Sequence, residues 1–272
     1  MTDVQIHPAA SVHPAAQLDA GVSIGPYCVV GEKVKIGCNS RLDSHVSITG
    51  LTEIGADCVF SPFSSIGTEP QDVGFKGEDN IVRIGDENIF REFVTIHKGT
   101  AKGGGQTVIG NKNYFMAYTH IAHDCRIGNE TVLTNGATLG GHVEVEDYAI
   151  LSAFCGVHQF CRIGRFAYIG GFSVITQDVP PFCRVAGMRP VLIYGSNAIG
   201  LRRRGIPNDR IRAVRDMIKI LFYSNLNTSQ AIDKIEKTCA PVPEKEELLR
   251  FVRSSKRGII KKAAEKWESD SE

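Results

Sequence analysis

The sequence predicts a mainly β fold: a parallel β-helix of hexapeptide repeats followed by a C-terminal α-helical domain. An apolar residue recurs every sixth position through most of residues 6–180, and beyond that stretch the spacing becomes helical. The 28 glycines in 272 residues suit a chain that turns corners often.

Written from Ile6 in sixes, the chain reads IHPAAS, VHPAAQ, LDAGVS, IGPYCV, VGEKVK, IGCNSR, LDSHVS, ITGLTE, IGADCV and FSPFSS, with Ile66 in phase. The frame returns at IGDENI, FREFVT and IHKGT, then runs unbroken from Ile109 to ITQDVP. All 26 first positions are Ile, Leu, Val or Phe. Each unit is a short strand plus a corner, and three units make one triangular coil. The first residue points inward and stacks on its copies in the neighbouring coils. The fifth also points inward, close to a corner, and must be small. Cys28, Cys58, Cys125, Cys155 and Cys161 sit there, so most of the eight cysteines are expected to be small core side chains. Glycine at the second position is expected to serve the tight corners.

Two interruptions break the frame, at residues 68–83 (TEPQDVGFKGEDNIVR) and 100–106 (TAKGGGQ). Loops extruded from a solenoid often form binding surfaces. After ITQDVPPF, helical spacing covers 192–203, 207–224, 228–238 and 243–255, with Pro207 and Pro241–Pro243 as breaks. Two domains are expected, 1–187 and 188–272.

The net charge of +1 hides an asymmetry: residues 188–272 carry 18 Lys/Arg against 11 Asp/Glu. That basic end is a candidate to meet an acidic ligand or partner. No apolar run approaches the roughly 20 residues of a membrane span. There is no basic and apolar leader and no CxxC pair. A cytoplasmic protein is expected, with no membrane span, disulfide framework, zinc knuckle or nucleic-acid partner.

The segment HIAHDCRIG, residues 120–128, poses the chemical question. In the repeat frame, His97, His123, His142 and His158 fall near one corner of four successive coils, about 4.8 Å apart. His120 lies beside them, and none is at an inward position. Such a row suits general-base catalysis, since imidazole titrates near neutrality. Three convergent imidazoles also suit zinc. His7, His13 and His45 fall outside the row and read as ordinary surface residues. Neighbouring residues on a strand tend to face opposite ways, so Asp124 need not orient His123 of its own chain; service to a neighbouring subunit is an alternative, and its role stays open. Arg202, Arg203 and Arg204 end a predicted helix before Gly205. They suit phosphate oxygens, or simply the helix dipole.

HIAHDC, LGGHV, VHQFC, TQDVPP and GLRRRG, in that order, resemble the cytoplasmic UDP-N-acetylglucosamine acyltransferases that begin lipid A synthesis. The resemblance implies a left-handed coil, against the usual crossover rule. It implies transfer of a 3-hydroxyacyl chain from acyl carrier protein to the 3-hydroxyl of UDP-N-acetylglucosamine. It also implies a homotrimer with active sites between subunits, and neither metal nor cofactor. His123 would be the general base, and the Gly141 N–H would stabilise the oxyanion. His120, His142, His158 and Gln159 would position substrate or acyl chain. Asp72 and His97 would line the sugar–nucleotide end, and Asn197, Arg203 and Arg204 would reach uridine and phosphates. The basic C-terminal region would dock the acidic carrier.

Two positions depart from the family pattern. Gly74 stands where the family's loop has a lysine, with Lys76 two residues on as its candidate replacement. Ile199 stands where an acidic residue occurs. The small Gly170 and Gly171 favour a longer acyl chain. Four readings compete: the same chemistry on a 3-amino UDP-sugar, the related N-acyltransferase of the same pathway, a zinc carbonic anhydrase on the same fold, whose His pair is spaced differently from His120 and His123, and a non-catalytic scaffold. The N-acyltransferase carries a separate domain before its repeats, whereas repeats here begin near residue 6.

Overall fold

The computed structural model describes residues 3–265; residues 1–2 and 266–272, the ends of the two expected domains, lie outside the described residues. Strands of mostly two residues form three parallel faces of a triangular prism. Through the coil, as far as Tyr168–Ile169, each strand pairs with the third strand after it, as Ser23–Ile24 on the first face does with Arg41–Leu42; Val29–Val30 lies on the second face and Val34–Ile36 on the third. That register stacks the first-position residues coil upon coil. From Ile24 onward every one of them is buried. Ile6 is 47% exposed because no earlier coil covers it. The five fifth-position cysteines are buried as expected, and all eight cysteines are free thiols.

The corners differ from expectation. In most corners the left-handed residue is the fourth, not the second, and it is seldom glycine: Tyr27, Asp57, Asp124, His142 and Phe160 have φ of 59°, 55°, 61°, 60° and 64°. Second-position glycines serve stacking instead. A Cβ on Gly25 would lie 2.8 Å from the carbonyl oxygen of Asp43 in the next coil. A left-handed L-residue costs roughly 1 kcal/mol. Stacking of the side chains that the corner throws outward offsets part of it, at about 0.5–1.5 kcal/mol per pair. Along the edge between the first and second faces, Tyr27, His45, Phe63, Phe93 and Tyr118 form a continuous ladder with centroids 4.8–5.1 Å apart. His45 is thus a rung of that ladder rather than an isolated surface residue.

The first interruption is shorter than the frame suggested, because Ser65–Thr68 and Ile81–Ile84 remain in the sheets and leave 69–80 as loop. Ile81–Arg83 pairs with Leu51–Glu53 and with Gln106–Val108. The second interruption contains one 3-10 turn, Ala101–Gly103.

The predicted helix at 192–203 divides. Leu192–Ser196 is a strand, antiparallel to Cys183–Ala186, and only Ala198–Arg203 (α1) is helical. The β-forming Leu-Ile-Tyr run finds a free sheet edge there, and Asn197 then caps the helix. α2 (Asn208–Tyr223), α3 (Thr228–Thr238) and α4 (Pro243–Ser254) follow the expected spacing. They bury Val214, Met217, Ile218, Ile235 and Leu248, and the buried Glu244 pairs with Arg210 to tie α4 to α2. Among the described residues no helix is long and apolar enough to cross a membrane.

Candidate active site

His123 and Asp124 form the corner between His120–Ile121 on the second face and Arg126–Ile127 on the third. The left-handed φ of Asp124 breaks strand alternation and folds its carboxylate back onto its own neighbour. His123 Nδ1 lies 2.8 Å from Asp124 Oδ2, so Asp124 meets the histidine of its own chain, the alternative that strand alternation had left open. The carboxylate is wholly buried. Thr100 donates its N–H to Oδ1 at 2.9 Å and its hydroxyl to Oδ2 at 2.7 Å. The glycine-rich loop therefore covers the carboxylate, and Gly103 lies so close that a Cβ there would collide with it. With an ionised carboxylate at Nδ1, the network assigns the ring proton to Nδ1 and the lone pair to Nε2.

Gly141 lies one coil further. A Cβ on it would run into the His123 ring, so only glycine lets the imidazole sit there. Among the described residues its N–H has no acceptor. His142 stacks on Phe160 at 4.4 Å and meets His123 edge-on at 5.1 Å. Burial lowers its proton affinity, and Asp124, with its Oδ2 3.7 Å from His142 Nε2, partly opposes this.

His97 and His120 pack edge to face at 4.9 Å. Burial pulls the His97 pKa down to about 4 and lowers that of His120, so both rings are neutral at pH 7. The His120 Nδ1 lies 2.7 Å from the Thr95 hydroxyl, whereas the buried His97 Nδ1 has no partner among the described residues. On the 69–80 loop, Asp72 accepts the Gly74 N–H at 2.8 Å and sits near enough to act on His142. Lys76 is exposed on the same loop.

His158 is exposed and stands apart from the ring contacts. Arg257, from the segment after α4, donates to its Nδ1 at 2.9 Å. Gln159 is exposed and packs against Gly140. Gly171 has open space, with only the Ala153 carbonyl, at 3.4 Å, near a Cβ built on it.

The expected nucleotide residues gather elsewhere. Asn197, Ile199, Arg203 and Arg204 line a cavity of about 440 Å³ with Tyr148 and Phe166. Tyr148 and Phe166 occupy the edge between the third and first faces, a different edge from that of His123. Arg204 pairs with Glu130 and lies 4.7 Å over the Tyr148 ring. Asn197, expected at the nucleotide, also builds the fold around it. Its Oδ1 caps α1 by accepting the Gly200 N–H at 3.0 Å, and its Nδ2 donates to the Phe166 carbonyl at 2.9 Å. Both ends of the side chain serve the fold.

Sequence reasoning gave Asp124 no role in its own chain and passed over Thr100, although the adjacent His-Asp pair was a visible signal. Nothing in the repeat pattern pointed to Arg257. His123, Asp124 and His142 do offer three ligand atoms within 4.8 Å. However, the carboxylate oxygens are already engaged by Thr100 and His123, which suits an acid–base pair better than a metal seat.

Fold and site together define a hexapeptide-repeat transferase that carries a histidine held by a buried carboxylate. Residues 106–141 match the family model described as bacterial transferase hexapeptide, and residues 178–260 match the second domain of UDP-N-acetylglucosamine O-acyltransferase. A curated acyl-[acyl-carrier-protein]–UDP-N-acetylglucosamine O-acyltransferase from Thermodesulfovibrio yellowstonii is 50% identical, covering 94% of this chain and 99% of the relative. One from Syntrophobacter fumaroxidans is 46% identical over 95% and 100%. Among solved structures, LpxA from Acinetobacter baumannii superposes with a TM-score of 0.90 at 39% identity, over 94% of this chain and 99% of that one. The Francisella novicida UDP-N-acetylglucosamine acyltransferase gives 0.92 at 37%, over 98% and 100%. The chain belongs to the acyl-[acyl-carrier-protein]–UDP-N-acetylglucosamine O-acyltransferase family, and its coil is left-handed.

Proposed function

We propose that this protein transfers a 3-hydroxyacyl chain from acyl carrier protein to the 3-hydroxyl of UDP-N-acetylglucosamine, the first step of lipid A biosynthesis. The observation that carries the mechanism is the His123–Asp124 pair with the Gly141 N–H beside it. His123 Nε2 takes the proton of the sugar hydroxyl, whose oxygen attacks the thioester carbonyl. The Gly141 N–H donates to the oxyanion of the tetrahedral intermediate. Asp124 keeps the proton on Nδ1 and stabilises the imidazolium that forms. The imidazolium then protonates the departing thiol of the carrier, the C–S bond breaks and the ester is released. No metal or cofactor enters these steps.

His142, His120 and the neutral His97 line the acceptor and reacting end, with Asp72 and Lys76 on the loop above. His158, Gln159 and Gly171 continue along the coils toward the acyl chain. Arg203 and Arg204 hold the phosphates at the second cavity, where Asn197 fixes the helix that presents them. Base and arginines lie on different edges of one chain, so one UDP-sugar reaches both only across a junction between copies. That separation supports a homotrimer with active sites between subunits, and the exposed aromatic edge supplies further surface for contact between copies. The basic C-terminal region docks the acidic carrier, and the carrier-dependent reaction places the protein in the cytoplasm.

The curated relatives are named O-acyltransferases, and neither the 3-amino acceptor nor the carbonic anhydrase has support from them. The test is a mass-spectrometric product assay with 3-hydroxyacyl carrier proteins of graded length, UDP-N-acetylglucosamine and its 3-amino analogue. An ester lost in His123→Ala is the expected outcome. An amide from the analogue alone, or no product at all, would overturn the reading.

A further inference from the structure

The buried carboxylate of Asp124 is the least solvated charge at the site, and one residue outside the repeat frame supplies two of its three hydrogen bonds. Thr100 approaches from the glycine-rich insertion with both its N–H and its hydroxyl. The hydroxyl oxygen accepts the Gly103 N–H at 3.2 Å, which leaves its single hydrogen for Asp124 Oδ2. The third bond comes from His123 to that same oxygen. A carboxylate oxygen sharing two donors is fixed in direction as well as in charge.

Thr100 is itself 5% exposed, and its carbonyl accepts from Gly103 and Gly105, so the donor arrives preorganised. Gly103 completes the fit, since a Cβ there would occupy the carboxylate's own space. On the remaining side, the Asp124 N–H donates to Thr107 Oγ1 at 2.9 Å.

We propose that Thr100 is a positioning residue for acyl transfer: its N–H and hydroxyl seat the Asp124 carboxylate where it orients His123. The glycine-rich loop is then part of the active site's scaffold, acting through Asp124 without touching the sugar. This rests on the acyltransferase reading and on His123 as its base.

The test compares Thr100→Val, which keeps shape and N–H but removes the hydroxyl, with Thr100→Ser, which keeps the hydroxyl. Removing a residue that orients a reacting side chain typically costs about 10- to 100-fold. Thr100→Val should lose that much in kcat with KM for the UDP-sugar and Tm nearly unchanged, and Thr100→Ser should restore most of it. Proton NMR of the intact protein supplies a readout free of turnover. The downfield Nδ1–H resonance of His123 should be sharp in wild type and Thr100→Ser, and broadened or moved upfield in Thr100→Val. Gly103→Ala, which puts a methyl group into the carboxylate's space while the Thr100 hydroxyl is retained, should reproduce the Val phenotype in both readouts.

Unchanged kcat and resonance in Thr100→Val would overturn the proposal, as would an equal defect in Thr100→Ser. A wild-type protein without acyl transfer would sink the functional reading instead, while the resonance would still report whether Thr100 seats Asp124.

Discussion

Asp124 Oδ2 stands 2.8 Å from Nδ1 of His123, its immediate neighbour in sequence. Two adjacent residues on a regular strand face opposite ways. They meet here because the chain turns left-handed at Asp124, with φ of 61°. The His123–Asp124 pair is thus a product of the corner at which this coil turns.

Asp124→Asn keeps the shape and removes the charge that holds the proton on Nδ1. A loss in kcat of roughly 10²- to 10⁴-fold is expected, with little change in KM, as for other buried carboxylates behind a histidine base. Steady-state kinetics decides it, and near wild-type kcat would remove Asp124 from the mechanism.

Gly141→Ala adds a methyl group where the His123 imidazole now packs. The backbone N–H survives, so any loss reports displacement of the base. Displacing a reacting group by about 1 Å costs on the order of 10²-fold. Full activity in this variant would show that the ring is not held where the structure has it.

Lowering pH should destabilise the protein through His97. Its folded pKa is about 4 against an ordinary 6.5, so between those values the unfolded chain binds the extra proton. Stability from this group is complete above pH 6.5 and lost as pH falls toward 4, by about 1–3 kcal/mol. Urea midpoints should fall across that window, and less so in His97→Gln. An identical fall in both proteins would assign the effect to other groups.

Arg204→Ala should raise KM for the UDP-sugar roughly tenfold or more and leave kcat nearly intact, the signature of lost ground-state binding to phosphate. Its partner Glu130 lies at the same cavity. Glu130→Gln therefore serves as a control for loss of the ion pair alone. Equal effects from both variants would mean that Arg204 only braces the edge.

The exposed ladder of Phe63 and Phe93 should matter to assembly. Phe93→Glu places a charge on that edge and should shift light-scattering mass from the proposed trimer to monomer at micromolar concentration. An unchanged trimer would move the junction to another edge.

The sequence by itself determined the coil. A six-residue apolar period has one packing solution for 26 stacked positions, and the small fifth residue, including five cysteines, follows from the same geometry. It also placed His97, His120, His123 and His142 in one region, because residues at like phase in successive coils become neighbours. Helical spacing located α2, α3 and α4 for the same reason: a periodic apolar face is a local property.

Periodicity alone did not determine what the insertions and corners do. Whether second-position glycine turns the chain or lets coils approach depends on the coil above it, not on its own unit. The strand Leu192–Ser196 read as helix because its partner, Cys183–Ala186, lies outside any local window. Thr100 reaches Asp124 across 24 residues because a loop folds back over a corner. The separation of His123 from Arg204 onto two edges is likewise a fact of the closed prism. Those contacts join residues far apart in sequence, and the tertiary structure alone decides them.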